Sequence, residues 1–223
     1  MAANADSLGK LSFITENYAP YNYRKNGKTQ GTTVELLLRM FRQAGTDRGL
    51  DDIEVMNWAR GYNLAQTREN TVLFSTTRTE SRENLFKWVG PIAPTRILIV
   101  GKKESGITIS TFEDMKQYRI GAVRDDIGEL LLLNNGIEPG NIYRTNSSSN
   151  TAKMLIAGRI DLWAYEGRVA FFNLREQGEN PDDYEVLKVL EESHLYFAVQ
   201  KDTSDTLVRR LQKALDEVRA AEK

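Results

Sequence analysis

The stretch FSTTRTESRE, residues 74–83, brings five hydroxyl side chains, two arginines and two glutamates into ten positions. Hydroxyl groups and a guanidinium can together hold an anionic group such as a carboxylate through charge-assisted hydrogen bonds. The same residues would also suit an ordinary solvated surface, in which Arg82 pairs with Glu80 or Glu83, since exposed arginines are common. The run therefore predicts either a solvated loop or a set of donors that faces a ligand.

Several kinds of catalytic and metal chemistry have no residues to support them. The chain contains no cysteine, which excludes disulfides, thiolate metal sites and a cysteine nucleophile. His194 is the only histidine, and no GxSxG or HExxH pattern is present. We therefore predict no cofactor, no metal and no catalytic residue.

The composition indicates a globular protein that binds neither nucleic acid nor an anionic membrane. Hydrophobic residues make up 40% and charged residues 27% of the 223 positions. Thirty basic and thirty-one acidic side chains leave almost no net charge. No apolar run approaches the roughly 20 residues that span a bilayer. The length suits one large domain or two small ones.

Apolar periodicity predicts strands that alternate with helices, which is typical of a mostly parallel α/β sheet. The predicted strands are 11–15, 53–58, 71–75, 96–103, 119–123, 161–166, 184–190 and 194–201. The predicted helices are 33–45, 61–70, 111–118, 125–136, 167–178 and 205–223. Thr111 is expected to cap the third of these helices.

A βαβαβ pattern occurs twice, at about residues 11–75 and 96–166, and predicts two α/β lobes. We expect lobe 1 to comprise residues 8–93 and 193–223, and lobe 2 to comprise residues 94–192. Two crossing strands would join the lobes and leave a ligand cleft between them, a preferred place for small-molecule sites.

The order of motifs resembles the family 3 (amino-acid type) extracellular solute-binding proteins of bacterial ABC importers. The pieces that carry the resemblance are FITENYAPYNY, GTTVELLLRMF, TVLFSTTRTESRE followed by FKWVGPI, RIGAVRDDIGELLL, AGRIDLWAYE and FAVQKDTSDTLVRRLQKAL. No single piece is diagnostic, but all six occur in the family's order from about Leu11 to Leu215. The resemblance implies the type II periplasmic binding protein fold, which closes on its ligand like a clam shell.

The resemblance also implies roles for residues in FSTTRTESR. Ser75 and Thr77 take the hydroxyl positions, and Arg82 takes that of the arginine that grips the ligand α-carboxylate. Thr79 is expected to cap the short helix that carries Arg82. Glu166 follows the strand DLWAY, where amino-acid binders carry an aspartate for the ligand ammonium; the alternative is an exposed glutamate at a helix start.

The sequence leaves two alternative roles for each of two aromatic residues and one arginine. Tyr18 matches a family aromatic that lies over the ligand, although Tyr18 and Tyr21 could simply pack their loop. Trp58, at the end of the second predicted strand, could face the cleft or belong to the core. Arg78 stands where the family usually has an apolar residue, so it could brace Glu80 or the hinge, or bind a second acidic group on the ligand.

The motif RDDIGE, residues 124–129, departs most from the family. Small residues usually hold the ligand carboxylate here, whereas Asp125 and Asp126 put two negative charges at a helix start that they would cap well. Either Arg124 compensates for them, or the ligand is not a standard α-amino acid in the standard pose. A basic amino acid or a polyamine-like solute would fit the acidic pair.

The expected function is that of a monomeric, periplasmic or extracellular binding protein that delivers an amino-acid-like ligand to an ABC transporter permease. Ala3-Asn4-Ala5 has the form of a signal-peptidase site, but no apolar segment precedes it. A mature chain in which a starting Met replaces the signal peptide and an ordinary frayed N-terminus explain these residues equally well. A ligand-sensing receptor domain is the first alternative. A dehydratase-like enzyme is the second, with Glu166, Asp126 and His194 as its acid or base candidates.

Overall fold

A computed structural model describes residues 5–222 of the chain, with side chains from Leu8 onward. Ala3 and Asn4 of the possible signal-peptidase motif lie outside the described residues. The chain forms two compact units. Unit 1 contains the residues up to Pro94 and those from His194 onward, and unit 2 is Thr95–Ser193.

The regular elements alternate between strands and helices. The strands are β1 Ser12–Thr15, β2 Tyr23–Lys25, β3 Lys28–Gln30, β4 Ile53–Val55, β5 Thr71–Thr77, β6 Phe86–Lys102, β7 Ile120–Val123, β8 Ile142–Thr145, β9 Leu162–Glu166 and β10 Tyr184–Gln200. The α-helices are α1 Thr32–Gln43, α2 Trp58–Thr67, α3 Ile127–Asn134, α4 Ser148–Ile156, α5 Gly167–Glu176 and α6 Asp205–Ala220. Short 3-10 helices are Ala5–Lys10, Leu50–Asp52, Glu80–Leu85, Lys103–Ser105, Glu113–Gln117, Pro139–Asn141 and Pro181–Asp183.

Unit 1 is built on strands in the order β4-β1-β5-β10. β1 runs parallel to β4 and β5, whereas β10 is antiparallel to β5. The apolar stripe predicted for α1 is buried in one cluster with the apolar face of α6. Phe13 of β1 packs edge-on against Phe41 of α1, with ring centroids 5.0 Å apart. This core fixes the end of β5, where FSTTRTESRE begins.

Unit 2 is built on strands in the order β6-β9-β7-β8. β9 is antiparallel to β6 and parallel to β7, and β7 is parallel to β8. A separate apolar cluster, which includes Ile99, Met115, Leu132 and Ala164, fills one side of this sheet. Because β7 and β9 are parallel, the RDDIGE motif and Glu166 follow the same ends of two adjacent strands.

The strands that carry the chain from one unit to the other are longer than the sequence predicted. β6 and β10 each contain 17 residues and pass through a unit boundary. The predicted strand 96–103 is only the second half of β6, and the predicted strands 184–190 and 194–201 are one continuous strand. The reason for the error is that the polar residues Glu191, Glu192 and Ser193, none of them buried, interrupt the apolar pattern.

A hairpin formed by β2 and β3 was not predicted, although its turn signal is present. Asn26 and Gly27 both have positive φ, 52° and 78°, which is the geometry of the tight turn that Asn-Gly favours. The strands on either side are only three residues long and consist mainly of polar residues, so they carry no apolar alternation.

The second predicted strand and the third predicted helix both end at other residues than the sequence indicated. The second strand ends at Val55, and Trp58 is instead the first residue of α2, because the Asn57 side chain accepts the backbone N–H of Arg60 at 3.0 Å and begins the helix. The helix predicted at 111–118 is the shorter 3-10 helix Glu113–Gln117, and Phe112 occupies its N-cap position. The Thr111 hydroxyl nevertheless accepts the backbone N–H of Asp114 at 3.4 Å, as expected of a capping side chain. No helix in the described part of the chain is long and apolar enough to cross a membrane.

Candidate functional site

The end of β5 in unit 1 has an irregular backbone at one of the predicted binding residues. Ser75 is buried and has φ 61°, a left-handed conformation that costs a non-glycine residue about 1–2 kcal/mol. The β5–β10 pairing shifts register at this point, between Tyr196 and Phe197, as at a β-bulge. The Ser75 hydroxyl donates to Thr33 Oγ1 at 3.1 Å, which ties the bulge to the start of α1. Such strained, well-supported positions are often found at functional sites.

Arg82 is a buried arginine rather than an exposed one, with 1% of its surface accessible. Its guanidinium carbon lies over the rings of Trp58 and Tyr62, 5.2 and 5.0 Å from their centroids. Its Nη1 donates to the carbonyl oxygen of Thr77 at 3.3 Å. Stacking on aromatic faces and bonding to a backbone oxygen hold the planar guanidinium in one orientation.

The short helix that carries Arg82 begins at Thr79 but is not capped by its hydroxyl. Thr79 occupies the N-cap position of the 3-10 helix Glu80–Leu85 without a side-chain cap bond. Its Oγ1 instead lies 3.1 Å from Ser81 Oγ, while its carbonyl accepts the Arg82 N–H at 3.0 Å. Thr79 thus has the predicted N-cap position, but its hydroxyl pairs with that of Ser81 instead of making the expected cap bond.

The NYAPY loop is held tightly in unit 1. The buried rings of Tyr18 and Tyr21 stack at 5.6 Å with an interplanar angle of 26°. Asn22, fully buried, donates from Nδ2 to Thr15 Oγ1 at 2.7 Å and to the Glu16 carbonyl at 3.0 Å. Stacking on Tyr21 thus holds the Tyr18 ring in this loop, and contact of Tyr18 with a ligand stays a prediction. The Trp58 ring lies against the guanidinium of Arg82.

In unit 2, Glu166 is a buried helix cap and not an exposed glutamate. Only 2% of its surface is accessible, and it is the N-cap residue of α5. Its Oε2 accepts the backbone N–H of Val169 at 2.8 Å. A hydrogen bond of this kind, together with the helix dipole, stabilises a negative charge on the carboxylate.

The RDDIGE motif is arranged differently from the prediction. Asp126 is the buried N-cap residue of α3 but makes no side-chain cap bond. Asp125, exposed and with φ 60°, donates its backbone N–H to Glu129 Oε2 at 2.6 Å. The buried Glu129, in the first turn of α3, thus accepts a backbone N–H just before the helix. The sequence predicted instead that the two aspartates would cap this helix.

The cation that compensates charge at this helix start is Arg144, not Arg124. Arg144 of β8 forms an ion pair through Nε with Glu129 Oε1. Arg124 is exposed and contacts β8 through its backbone, donating its N–H to the Thr145 carbonyl at 2.9 Å. Arg144 is distant in sequence and only the parallel pairing of β7 with β8 brings it to α3. Nothing in the surrounding residues NIYRT indicated that Arg144 would form an ion pair with this helix.

Gly128 lets α3 approach β9 closely. A Cβ on Gly128 would lie 2.4 Å from the carbonyl oxygen of Ala164, so only glycine fits there. This contact holds the start of α3 against β9, two residues before Glu166. Since β7 and β9 are neighbouring strands, Asp126 and Glu166 begin two helices at adjacent strand ends of unit 2. Within the described residues, no group of three or more His, Asp or Glu side chains could hold a metal ion.

Two α/β units, each with charged residues at its strand ends, make up the class of fold that this chain has. The sequence matches the bacterial extracellular solute-binding proteins, family 3, over residues 12–223, and the chain belongs to this family. No curated protein sequence matches it. The resemblance seen in the sequence and the predicted α/β class are thereby confirmed.

Solved structures show the same fold at low sequence identity. A histidine kinase sensor domain with similarity to periplasmic binding proteins has a TM-score of 0.82 and 18% identity, and the alignment covers 95% of this chain and 91% of that one. An ABC uptake transporter substrate-binding protein from Streptococcus pneumoniae with bound histidine has a TM-score of 0.83 and 19% identity, over 99% and 93%. The arginine-bound form of truncated ArgBP from T. maritima has a TM-score of 0.77 and 19% identity, over 96% and 98%. The chain thus has the type II periplasmic binding protein fold.

Proposed function

We propose that this protein binds an amino acid, most readily a basic one, and delivers it to an ABC importer. The observation that carries the proposal is Arg82, a guanidinium that is buried, stacked on two aromatic rings and fixed at the end of β5. A guanidinium held in this way is ready to bind a carboxylate through two parallel hydrogen bonds with little loss of entropy. Ser75 and Thr77 would supply further hydrogen-bonding groups from the same strand end.

The buried acidic residues of unit 2 support a ligand that also carries positive charge. Glu166 and Asp126 begin two helices at adjacent strand ends, and both are less than one tenth exposed. Glu166 would take the α-ammonium, and Asp126 a second cationic group, with Arg124 at the rim. Relatives with this fold were solved with arginine or histidine bound, and one is described as an arginine-, lysine- and histidine-binding protein.

The aromatic residues receive two different roles in this proposal. Tyr18, stacked on Tyr21 in a fixed loop, offers a ring face that could cover the ligand side chain. Trp58 contributes through Arg82, because its ring lies against the guanidinium. As a binding protein of this type, the chain would act as a monomer outside the cytoplasm and meet a permease.

A thermal-shift screen followed by calorimetry tests the ligand class. L-Arginine, L-lysine, L-histidine, L-glutamine, putrescine and succinate would each be added to the purified protein. A ligand at 100 times its dissociation constant stabilises by about 2.7 kcal/mol. We expect the basic amino acids to raise the midpoint most. Stabilisation by succinate or putrescine alone would contradict the proposal, because the first lacks the ammonium and the second lacks the carboxylate.

A ligand-sensing domain is the second candidate, and the likeness to a histidine kinase sensor domain favours it. Deletion of the gene in its host separates the two. Loss of uptake of the radiolabelled ligand identifies an importer component. Unchanged uptake together with a lost transcriptional response to the ligand identifies a sensor.

A further inference from the structure

Arg78 has no role in the proposed binding site, yet its guanidinium contacts Glu83, Trp88 and Tyr196. Its Nε and Nη2 donate to Glu83 Oε2 and Oε1 at 2.7 and 2.5 Å, a two-bond fork. Its guanidinium carbon lies over the rings of Trp88 and Tyr196, 5.7 and 5.1 Å from their centroids. Its backbone N–H donates to the His194 carbonyl at 3.2 Å.

The two rings against which Arg78 lies, Trp88 and Tyr196, are themselves held in place by other contacts. The Tyr196 ring lies against Gly90, where a Cβ would come within 2.4 Å of Tyr196 Cδ1. Trp88 meets Tyr196 edge-on at 5.9 Å and donates from Nε1 to the Glu83 carbonyl at 3.2 Å. Arg78 therefore joins the segment 78–83 to β6 and β10, the two strands that pass through a unit boundary.

The ion pair between Arg78 and Glu83 joins the two ends of a short segment that contains Arg82. Arg78 directly follows Thr77, and Glu83 directly follows Arg82, so the ion pair connects the two ends of the segment 78–83. Arg82 is tied back to the same end of β5 by its hydrogen bond to the Thr77 carbonyl. A rotation of the 3-10 helix that moved Arg82 off the Trp58 and Tyr62 rings would have to break the fork.

We propose that Arg78 is a positioning residue, which holds Arg82 in its ligand-binding orientation by clamping Glu83 and resting on Trp88 and Tyr196. The consequence for ligand binding rests on the proposed function; the positioning of Arg82 does not. Arg78 would not touch the ligand, so it needs no counterpart group on it.

Arginine suits this role better than lysine. Its plane can stack on Trp88 and Tyr196 while its edge bonds both oxygens of Glu83, which an ammonium cannot do. The hydrogen bond from Arg78 also lowers the pKa of the Glu83 carboxyl and raises that of the guanidinium, so both groups stay charged near neutrality.

NMR of ligand-free protein tests the clamp directly. Because the Arg82 guanidinium lies over two rings, its Nε–H resonance should carry a ring-current shift, and the variant Arg82→Lys identifies that signal by removing it. We expect Arg78→Met and the near-isosteric Glu83→Gln to move the signal toward the value of an unstructured arginine. Arg96→Met, which removes an ion pair with Glu192 in unit 2, is the matched control and should leave it in place.

Binding of L-arginine by calorimetry gives the second readout. We expect Arg78→Met, Arg78→Lys and Glu83→Gln to weaken binding by about fivefold to thirtyfold, while Arg96→Met has no effect. Glu83→Gln keeps Arg78 on its rings, so it remains informative if Arg78→Met does not fold. An unmoved Arg82 signal in the folded variants would overturn the proposal. A moved signal in a protein that does not bind L-arginine would support the clamp and count against the proposed ligand.

Discussion

The guanidinium carbon of Arg82 lies 5.2 Å from the centre of the Trp58 ring, and both side chains are buried in unit 1. Truncation of one partner of a buried charged contact typically costs about 2–5 kcal/mol. We therefore expect Arg82→Ala to weaken ligand binding at least about thirtyfold in calorimetry. Arg39→Ala, which removes an exposed ion pair with Glu222, should bind normally. Near-equal affinity of Arg82→Ala and wild type would show that Arg82 does not hold the ligand.

The left-handed backbone of Ser75 gives a prediction that compares two small substitutions. Ser75→Ala keeps the strained φ and leaves the Thr33 hydroxyl without its donor, so it should lower the free energy of unfolding by about 1–2 kcal/mol. Ser75→Gly loses the same bond but adopts φ 61° freely, so it should cost less than about 1 kcal/mol. Urea denaturation measures both. A glycine variant less stable than the alanine variant would mean that backbone strain is unimportant here.

The close approach of α3 to β9 depends on Gly128. An added Cβ would meet the Ala164 carbonyl oxygen at 2.4 Å, which forces the helix away from the strand. Gly128→Ala should therefore lower the free energy of unfolding by about 1–3 kcal/mol. Gly140→Ala is the control, since nothing lies within 4 Å of its Cβ position, and it should change stability by less than about 0.5 kcal/mol. Equal effects of the two substitutions in urea denaturation would contradict the packing argument.

The ion pair between Arg119 and Asp161 should make the stability of unit 2 depend on pH. Arg119 donates from Nη2 and Nε to the two oxygens of Asp161 at 2.7 and 3.0 Å. These bonds lower the pKa of the Asp161 carboxyl below that of the unfolded chain. The stabilisation is therefore present above about pH 4, the usual aspartate pKa, and is lost as the pH falls through the lowered folded value.

We expect Asp161→Asn to be less stable than wild type in urea denaturation at pH 7 and pH 5, and the difference to shrink at pH 3 and below. Glu69→Gln, at an exposed position, is the control and should follow wild type throughout. A difference that stays constant with pH would mean that the ionised carboxylate is not what stabilises this pair.

Much of the fold could be read from local patterns. The apolar spacing in TVELLLRMF predicted α1 because that helix buries one face, and the short apolar run RIGAV predicted β7 because both of its faces are covered. The limits of β6 and β10 could not be read in this way. Polar and exposed residues within these two strands obscure any period, and backbone pairing rather than side-chain burial keeps the strands continuous.

The sequence by itself determined the family, the α/β class and the residue types available for binding, since these follow from the order of motifs and from composition. Only the tertiary structure decided which neighbours those residues have. The Arg82 guanidinium is buried against the rings of Trp58 and Tyr62. Arg78, four residues earlier, instead pairs with Glu83 and lies over rings of β6 and β10. Glu129 of α3 forms its ion pair with Arg144, which lies on the separate strand β8. The physical reason is that each partner is chosen by distances and burial between separate segments, which no local pattern of residues encodes.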